Sequence, residues 1–385
     1  MINEALVAVP LFIFMGVMLE RTKIAAKLLE SIGDLFGSIK GGLGIGVVLV
    51  GMLLAASTGI VGATVVTMGI IALPTMLKHN YSASLASGTI AASGTLGQII
   101  PPSIILILLG DVMGVPVGRL FVGSIVPGLL LVTLFMVYIL IYAWHKPSVG
   151  PAFNSKDDNL DFIDLIKTIL PPFTLILAVL GSIFFGIATP TESAAIGCMG
   201  AFLISIFYRS LSFSALQKAL LETAKVSSMI LFIIVASVTF SQILAFSGAT
   251  DGLLKTIQEI ATSQFTILLM MISVLLILGA FMDQVSMVMI TIPFFIPLAQ
   301  FQEIDLLWLC VLMLIVMEIS FTTPPFGLLL YVMKGVAPKE ITLRQIYLAA
   351  LPFIMLEFLV LIYLIIEPNT ALYLPSLIKT GLGRE

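Results

Sequence analysis

The sequence predicts an all-α polytopic membrane protein. Three observations carry that prediction: the composition, long apolar segments broken by glycine and proline, and a recurrence of that pattern in both halves of the chain. Of 385 residues, 59% are hydrophobic and 10% charged, with a mean hydropathy of +1.18. A soluble chain carries about 25% charged residues. The formal net charge is −3 and no basic block occurs, so nothing marks a nucleic-acid partner. Cys198 and Cys310 lie in apolar runs without disulfide or metal spacing, and His79 and His145 sit beside segment ends as solvated loop residues. No cleavable signal pattern is present, and the chain opens almost directly into apolar sequence.

The first span covers about 5–19 and ends in a basic cluster of Arg21, Lys23, Lys27 and Lys40. Residues 22–39 read as an amphipathic interfacial helix with Ile24, Leu28, Leu29, Ile32 and Leu35 on one side. The apolar stretch 41–77 is interrupted at Ser57–Thr64, and each arm is short for a span of about 20 residues. Lys40 and Lys78 flank its outer ends and place both on the cytoplasmic side, which predicts a re-entrant hairpin. A broken helix at 82–113 and a span at 120–144 close a first half, 1–145. The polar stretch 146–167 is the expected cytoplasmic linker.

The second half, 168–367, opens with spans at 168–187 and 191–208. Between them lies Ala188-Thr189-Pro190-Thr191-Glu192, where Glu192 reads as a helix cap. A polar segment with Arg209, Lys218 and Lys225 precedes a span at 228–246. A second hairpin is expected at 265–299, broken at 279–286. Glu259, Glu303 and Asp305 mark its outer ends, and no Lys or Arg occurs between Lys255 and Lys334, so it enters from the opposite face. A second broken helix at 306–333, a span at 347–366 and a tail, 368–385, complete the chain.

Two motifs break the broken helices: Gly-Thr-Leu-Gly-Gln-Ile-Ile-Pro-Pro-Ser at 94–103 and Ser-Phe-Thr-Thr-Pro-Pro-Phe-Gly at 320–327. Proline removes a backbone donor and clashes with the preceding turn. Irregular backbone at membrane depth is tolerated only against protein or a water-filled cavity. One constant offset carries Pro74, Pro101 and Pro102 onto Pro297, Pro324 and Pro325, and a two-residue adjustment aligns Pro127 with Pro352. With the charge argument, this predicts an inverted repeat of two re-entrant helical hairpins and two broken helices, the layout of ion-coupled secondary transporters.

Broken helices and hairpin tips expose backbone carbonyls, which suit Na⁺, and helix N-termini, which suit a carboxylate. Gly59, Gly62, Gly94 and Gly97 permit close approach there. Ser57, Thr58, Thr64, Ser93, Thr95, Ser103, Ser286, Ser320, Thr322 and Thr323 supply hydroxyls. Of these, Thr64, Ser93, Thr95, Ser103, Ser286 and Ser320, with Gln98, are the expected substrate contacts. Gln98 either orients a substrate or satisfies free carbonyls. Asp283, predicted in the second hairpin, is either a cation ligand or an interfacial group. Glu318 borders the second break and is a further site candidate.

Ala-Ser-Thr-Gly-Ile-Val-Gly-Ala-Thr at 56–64, Ser-Gly-Thr-Leu-Gly-Gln-Ile-Ile-Pro-Pro-Ser at 93–103 and Gly-Ile-Ala-Thr-Pro-Thr-Glu at 186–192 resemble the large membrane (permease, DctM-like) subunit of TRAP transporters. The mannitol/chloroaromatic subgroup is the one resembled most, and the likeness covers nearly the whole chain. It implies Na⁺-driven import of a small organic acid by an elevator mechanism in the bacterial inner membrane. It also implies a small four-helix membrane subunit and a periplasmic substrate-binding protein as partners, with no cofactor beyond Na⁺ as coupling ion. By motif match, the implied Na⁺ sites fall on Ser57, Thr58, Gly59 and Gly94, and on Asp283, Thr322 and Thr323. Sialic acid members carry an Asp where Thr64 stands, which argues against that substrate. Family members usually begin with at least one further span before Pro10, so the resemblance implies a shortened N-terminus.

Two other transport-related readings are compatible with these residues: a binding-protein-independent Na⁺/dicarboxylate symporter and a truncated inactive paralogue. An intramembrane protease would need a catalytic pair, and no His-Glu-x-x-His or Gly-x-Gly-Asp motif is present.

Overall fold

A computed structural model describes residues 4–22, 24–58, 61–152, 162–248, 252, 255–257, 263–324 and 327–377. The described residues are helical with no strand. Seven of the helices are long and apolar enough to cross a membrane.

In the first half, α1 (Glu4–Arg21) is followed by α2 (Ile24–Phe36). The first hairpin is α3 (Gly42–Thr58) and α4 (Val61–Lys78), and the first broken helix is α5 (Ala83–Thr95) and α6 (Ile104–Met113). A long α7 (Val117–His145) closes the half. Ser82 caps α5 by accepting the Leu85 N–H, and Gly114, at φ 70°, ends α6 in the left-handed conformation that favours glycine. Leu28, Leu29 and Ile32 of α2 are buried, and α2 packs on α3 and α8 (Phe162–Phe184). Leu35, expected on the same face, is exposed.

In the second half, α8 leads to α9 (Pro190–Phe207) and α10 (Phe213–Ser247). The second hairpin is α11 (Gln264–Gly279) and α12 (Gln284–Phe301), and the second broken helix is α13 (Leu306–Thr322) and α14 (Leu328–Val336). Then come α15 (Leu343–Ile366) and α16 (Asn369–Leu377). Thr189 and Glu192 form a capping box at the start of α9, the capping role expected of Glu192.

Two stretches that read as polar connections, and the tail, are helical in part. Residues 162–167 belong to α8, and 369–377 form α16, which packs on α7. The segment before the span at 228–246 is continuous with it in α10. Ser212 caps that helix, and the Leu, Gln, Lys, Ala and Glu residues after it are strong helix formers, so propagation costs little.

The two halves interlock reciprocally. The second arm of each hairpin packs on the outgoing half of the other broken helix, α4 on α14 and α12 on α6. The closing spans cross over as well, onto the incoming halves, α15 on α5 and α7 on α13. All of Leu307–Thr322 in α13 is buried, and so is Leu85–Thr95 of α5. The broken helices are therefore the innermost elements, held by both hairpins and both closing spans.

Candidate functional site

Each hairpin tip sits against the break of its own half, and small residues set the approach. A Cβ on Gly94 would lie 2.2 Å from Val65 Cγ2 of α4, and one on Gly97 would lie 2.9 Å from Ala55 Cβ of α3. In the second half, a Cβ on Gly279 would lie 2.0 Å from Ser320 Oγ. Gly94, implied as part of a Na⁺ site, is thus first a packing requirement of the α4–α5 crossing.

The hydroxyls at the breaks share one geometry. Ser93 donates to Ile90 O at 3.0 Å and Thr95 to Ala92 O at 2.8 Å. Ser320 donates to Met317 O at 3.0 Å, and Thr322 and Thr323 both donate to Ile319 O. Donated to the preceding turn, these oxygens still have lone pairs to offer outward. Thr64 is buried in the first turn of α4.

The first break carries different groups. Pro101 and Pro102 are buried and joined by a cis peptide bond. Gln98 is buried with neither amide atom partnered, and Ser103, at the N-cap of α6, has a buried hydroxyl with no hydrogen-bond partner. These are donors as well as acceptors, placed beside a helix N-terminus. Pro324 at the second break is exposed. Gly59 and Pro325, with the side chains of Ser57 and Thr58, lie outside the described residues.

Asp283 has a defined local task. It is the N-cap of α12, one oxygen accepting the Ser286 N–H at 3.1 Å and the other the Ser286 hydroxyl. Both residues are half-buried. The described contacts join Asp283 to Ser286, not to the groups at the second break.

What the fold does assemble is a pair of carboxylates. Glu318 of α13 and Glu357 of α15 are both fully buried and lie within interaction range of one another. The Thr95 side chain flanks Glu318 and the Thr322 side chain flanks Glu357. None of the four carboxylate oxygens has a hydrogen-bond partner. The offset that superposes the proline pairs also carries Thr95 onto Glu318, so equivalent positions of the two broken helices meet here. Glu318 was legible in the sequence as a border of the second break. Glu357 was not singled out, although a carboxylate inside an apolar span is the signal that would have found it.

Comparison with known proteins bears on the whole chain. The family described as "Tripartite ATP-independent periplasmic transporter, DctM component" matches residues 1–370. The C4-dicarboxylate TRAP transporter large permease protein DctM of Pseudomonas aeruginosa is 34% identical over 97% of this chain and 87% of its own length. The protein of the same description from Rhodobacter capsulatus is 32% identical, over 97% of this chain and 87% of its own. The ectoine TRAP transporter large permease protein TeaC of Halomonas elongata is 28% identical, over 97% and 86%. In fold, the chain is similar to the crystal structure of the Alcanivorax borkumensis YdaH transporter, with a TM-score of 0.64, 15% identity, and coverage of 99% of this chain and 86% of that one.

Proposed function

The chain belongs to the DctM family of large permease subunits of tripartite ATP-independent periplasmic transporters, and from that premise we propose that it imports a small organic acid driven by Na⁺. It is a multi-pass inner-membrane transport protein and not an enzyme. The observation that supports the proposal best is the unequal chemistry of the two breaks. Gln98, Ser103 and the N-terminus of α6 offer donors suited to a carboxylate. The hydroxyls of Ser320, Thr322 and Thr323, each donated to the backbone, offer oxygen lone pairs suited to a hard cation.

In this reading the hairpins and broken helices carry the cargo as one body, an elevator movement against α1 and α8 to α10. Cation binding pre-organises the tips and partly neutralises the incoming carboxylate. Na⁺ would be held by Ser57, Thr58, Gly59 and Gly94 in one half and by Asp283, Thr322 and Thr323 in the other. Thr64, Ser93, Thr95, Ser286 and Ser320 would line the substrate path with Gln98 and Ser103. A small four-helix membrane subunit and a periplasmic binding protein complete the transporter. C4-dicarboxylates are the first substrates to offer, because the Pseudomonas aeruginosa and Rhodobacter capsulatus relatives are permeases described for them.

The test is reconstitution in liposomes with both partners, measuring uptake of labelled succinate with and without an inward Na⁺ gradient. Uptake should require the gradient and the binding protein together. Uptake without the binding protein would replace this reading with a free-standing symporter, and gradient-independent uptake would remove the Na⁺ coupling.

A further inference from the structure

We propose that the cleft at the end of α1 binds the headgroup of an amine-bearing membrane phospholipid, of the phosphatidylethanolamine class. The cleft, about 270 Å³, is lined by Glu20 and Arg21 of α1, Thr67, Ile70 and Ile71 of α4, and Glu222 of α10. Sites that enclose a whole small molecule measure about 300–1,000 Å³, so this one suits the end of a larger molecule.

The chain sets the depth of the cleft in the membrane. Glu20 and Arg21 directly follow the apolar span 5–19, and Glu222 lies between Lys218 and Lys225, ahead of the span 228–246. Charged residues at the ends of spans mark the interface, where headgroups lie. The wall supplied by the hairpin is apolar, with Ile70 61% exposed and Ile71 half-buried. Charged side chains next to an exposed isoleucine form the two-part surface that an amphiphile covers.

The charges specify the headgroup. Arg21 donates through Nη2 to Glu222 at 2.6 Å, and its Nε is buried with no acceptor. A guanidinium has five N–H donors, so this one meets the cleft with donors unspent and lacks an acceptor. A phosphate oxygen supplies it, in the fork geometry by which Arg binds phosphate. The carboxylates lack the opposite group. One guanidinium faces two of them, which leaves a negative charge over, and Glu20 is held by the Thr67 hydroxyl rather than by a cation. An ammonium answers that need. A phosphate and a primary ammonium a short chain apart are the phosphoethanolamine headgroup. Phosphatidylglycerol brings the anion without the cation, and the quaternary ammonium of phosphatidylcholine has no N–H to donate to Glu20 or Glu222. A headgroup bound here touches the first hairpin and both α1 and α10, so its binding adds to the stability of the folded chain.

The test is lipid selectivity, which stands apart from the uptake reading. The full chain is melted in phosphatidylcholine nanodiscs into which phosphatidylethanolamine or phosphatidylglycerol is titrated. A saturable rise in Tm with phosphatidylethanolamine is expected, one that phosphatidylglycerol does not reproduce. Native mass spectrometry should retain phosphatidylethanolamine on the chain in preference to phosphatidylglycerol. Arg21→Gln and Glu222→Gln should move the midpoint of the phosphatidylethanolamine titration roughly tenfold. Lys146→Gln, at the end of another span, should leave it in place. Equal effects of the two lipids on the parent chain would overturn the proposal, a readout that needs no variant to fold. So would a titration that Arg21→Gln and Glu222→Gln leave unmoved, since the effect would then belong to the bulk bilayer. Soluble phosphoethanolamine that reproduced the rise in phosphatidylcholine nanodiscs would overturn the lipid source in favour of a free zwitterion. No rise and no retained lipid would remove the site and leave Na⁺-driven uptake a separate question.

Discussion

The two broken helices are the same device built with small residues at different places. Where the first hairpin meets its broken helix, glycines sit on both partners: Gly97 of the break faces Ala55 of α3, and Gly51 of α3 faces Ser93. Where the second hairpin meets its break, the glycine is on the hairpin: Gly279 faces Ser320 of α13. The offset between the repeats sets Gly97 against Ser320, but it sets Ala55 against Leu278, so the second crossing draws its small residue from the next position, Gly279. The backbone approach is what the fold requires, and either partner can supply the room. With that constraint satisfied differently, the first break keeps an unpartnered amide in Gln98 and hydroxyl in Ser103, while the second carries Ser320 beside a buried acid pair.

The largest expected effect comes from filling the second crossing. Gly279→Ala places a Cβ at 2.0 Å from Ser320 Oγ, a distance that real Cβ atoms do not tolerate. Overpacking of this kind costs about 1–3 kcal/mol. Adding Ser320→Gly to Gly279→Ala removes the side chain that the new Cβ meets and should recover most of the loss. A double-variant cycle on thermal unfolding in nanodiscs reads the coupling directly. If Ser320→Gly gives no recovery, the Gly279–Ser320 approach is not what sets the second crossing.

A smaller effect separates the two roles of Asp283. As N-cap of α12 it should cost about 1 kcal/mol when replaced by Ala, and only a few tenths when replaced by Asn, which also caps. As a cation ligand its charge matters and its capping does not. Asp283→Asn with near-parental Tm and lost Na⁺-dependent uptake would sharpen the assignment to the cation. Equal uptake in Asp283→Asn and the parent, with loss only in Asp283→Ala, would leave it a cap.

Much of this layout is legible in the chain because prolines and glycines mark it. The double prolines predict both breaks, and the arms 42–58, 61–78, 264–279 and 284–301 follow from apolar runs ending in polar tips. The capping box of Thr189 and Glu192 is local chemistry and could be read directly. What could not be read is what depends on distant neighbours. Helix α10 runs on through Lys218 and Lys225 because Ser212 caps it, so charge alone gave a misleading boundary. Leu35 has the right helical phase for the α2 face yet is exposed, since what covers that face is set by α3 and α8. Glu357 lies in an unbroken span, and its meeting with Glu318 arises only when α15 packs on α13.

The smallest effect concerns where the halves touch at the end of α1. Arg21 reaches Glu222 of α10 at 2.6 Å, while the neighbouring Glu20 accepts a hydrogen bond from Thr67 of the first hairpin. These groups line a cleft of about 270 Å³, so α1 links a helix of the second half to the hairpin of the first. The Arg21–Glu222 pair is partly exposed, at 31% and 46%, and an exposed pair contributes about 0–1 kcal/mol once solvent screening is included. A cycle of Arg21→Ala and Glu222→Ala should therefore give a coupling below about 1 kcal/mol that shrinks with added salt. Thr67→Val removes the donor to Glu20 and leaves the ion pair in place. If the contacts at this end only position the helices, Thr67→Val and Arg21→Ala should change Tm slightly and leave the uptake rate per folded transporter unchanged. A change in uptake rate from Thr67→Val without a change in Tm would show that this end of α1 restrains the hairpin, and that the halves communicate outside the breaks.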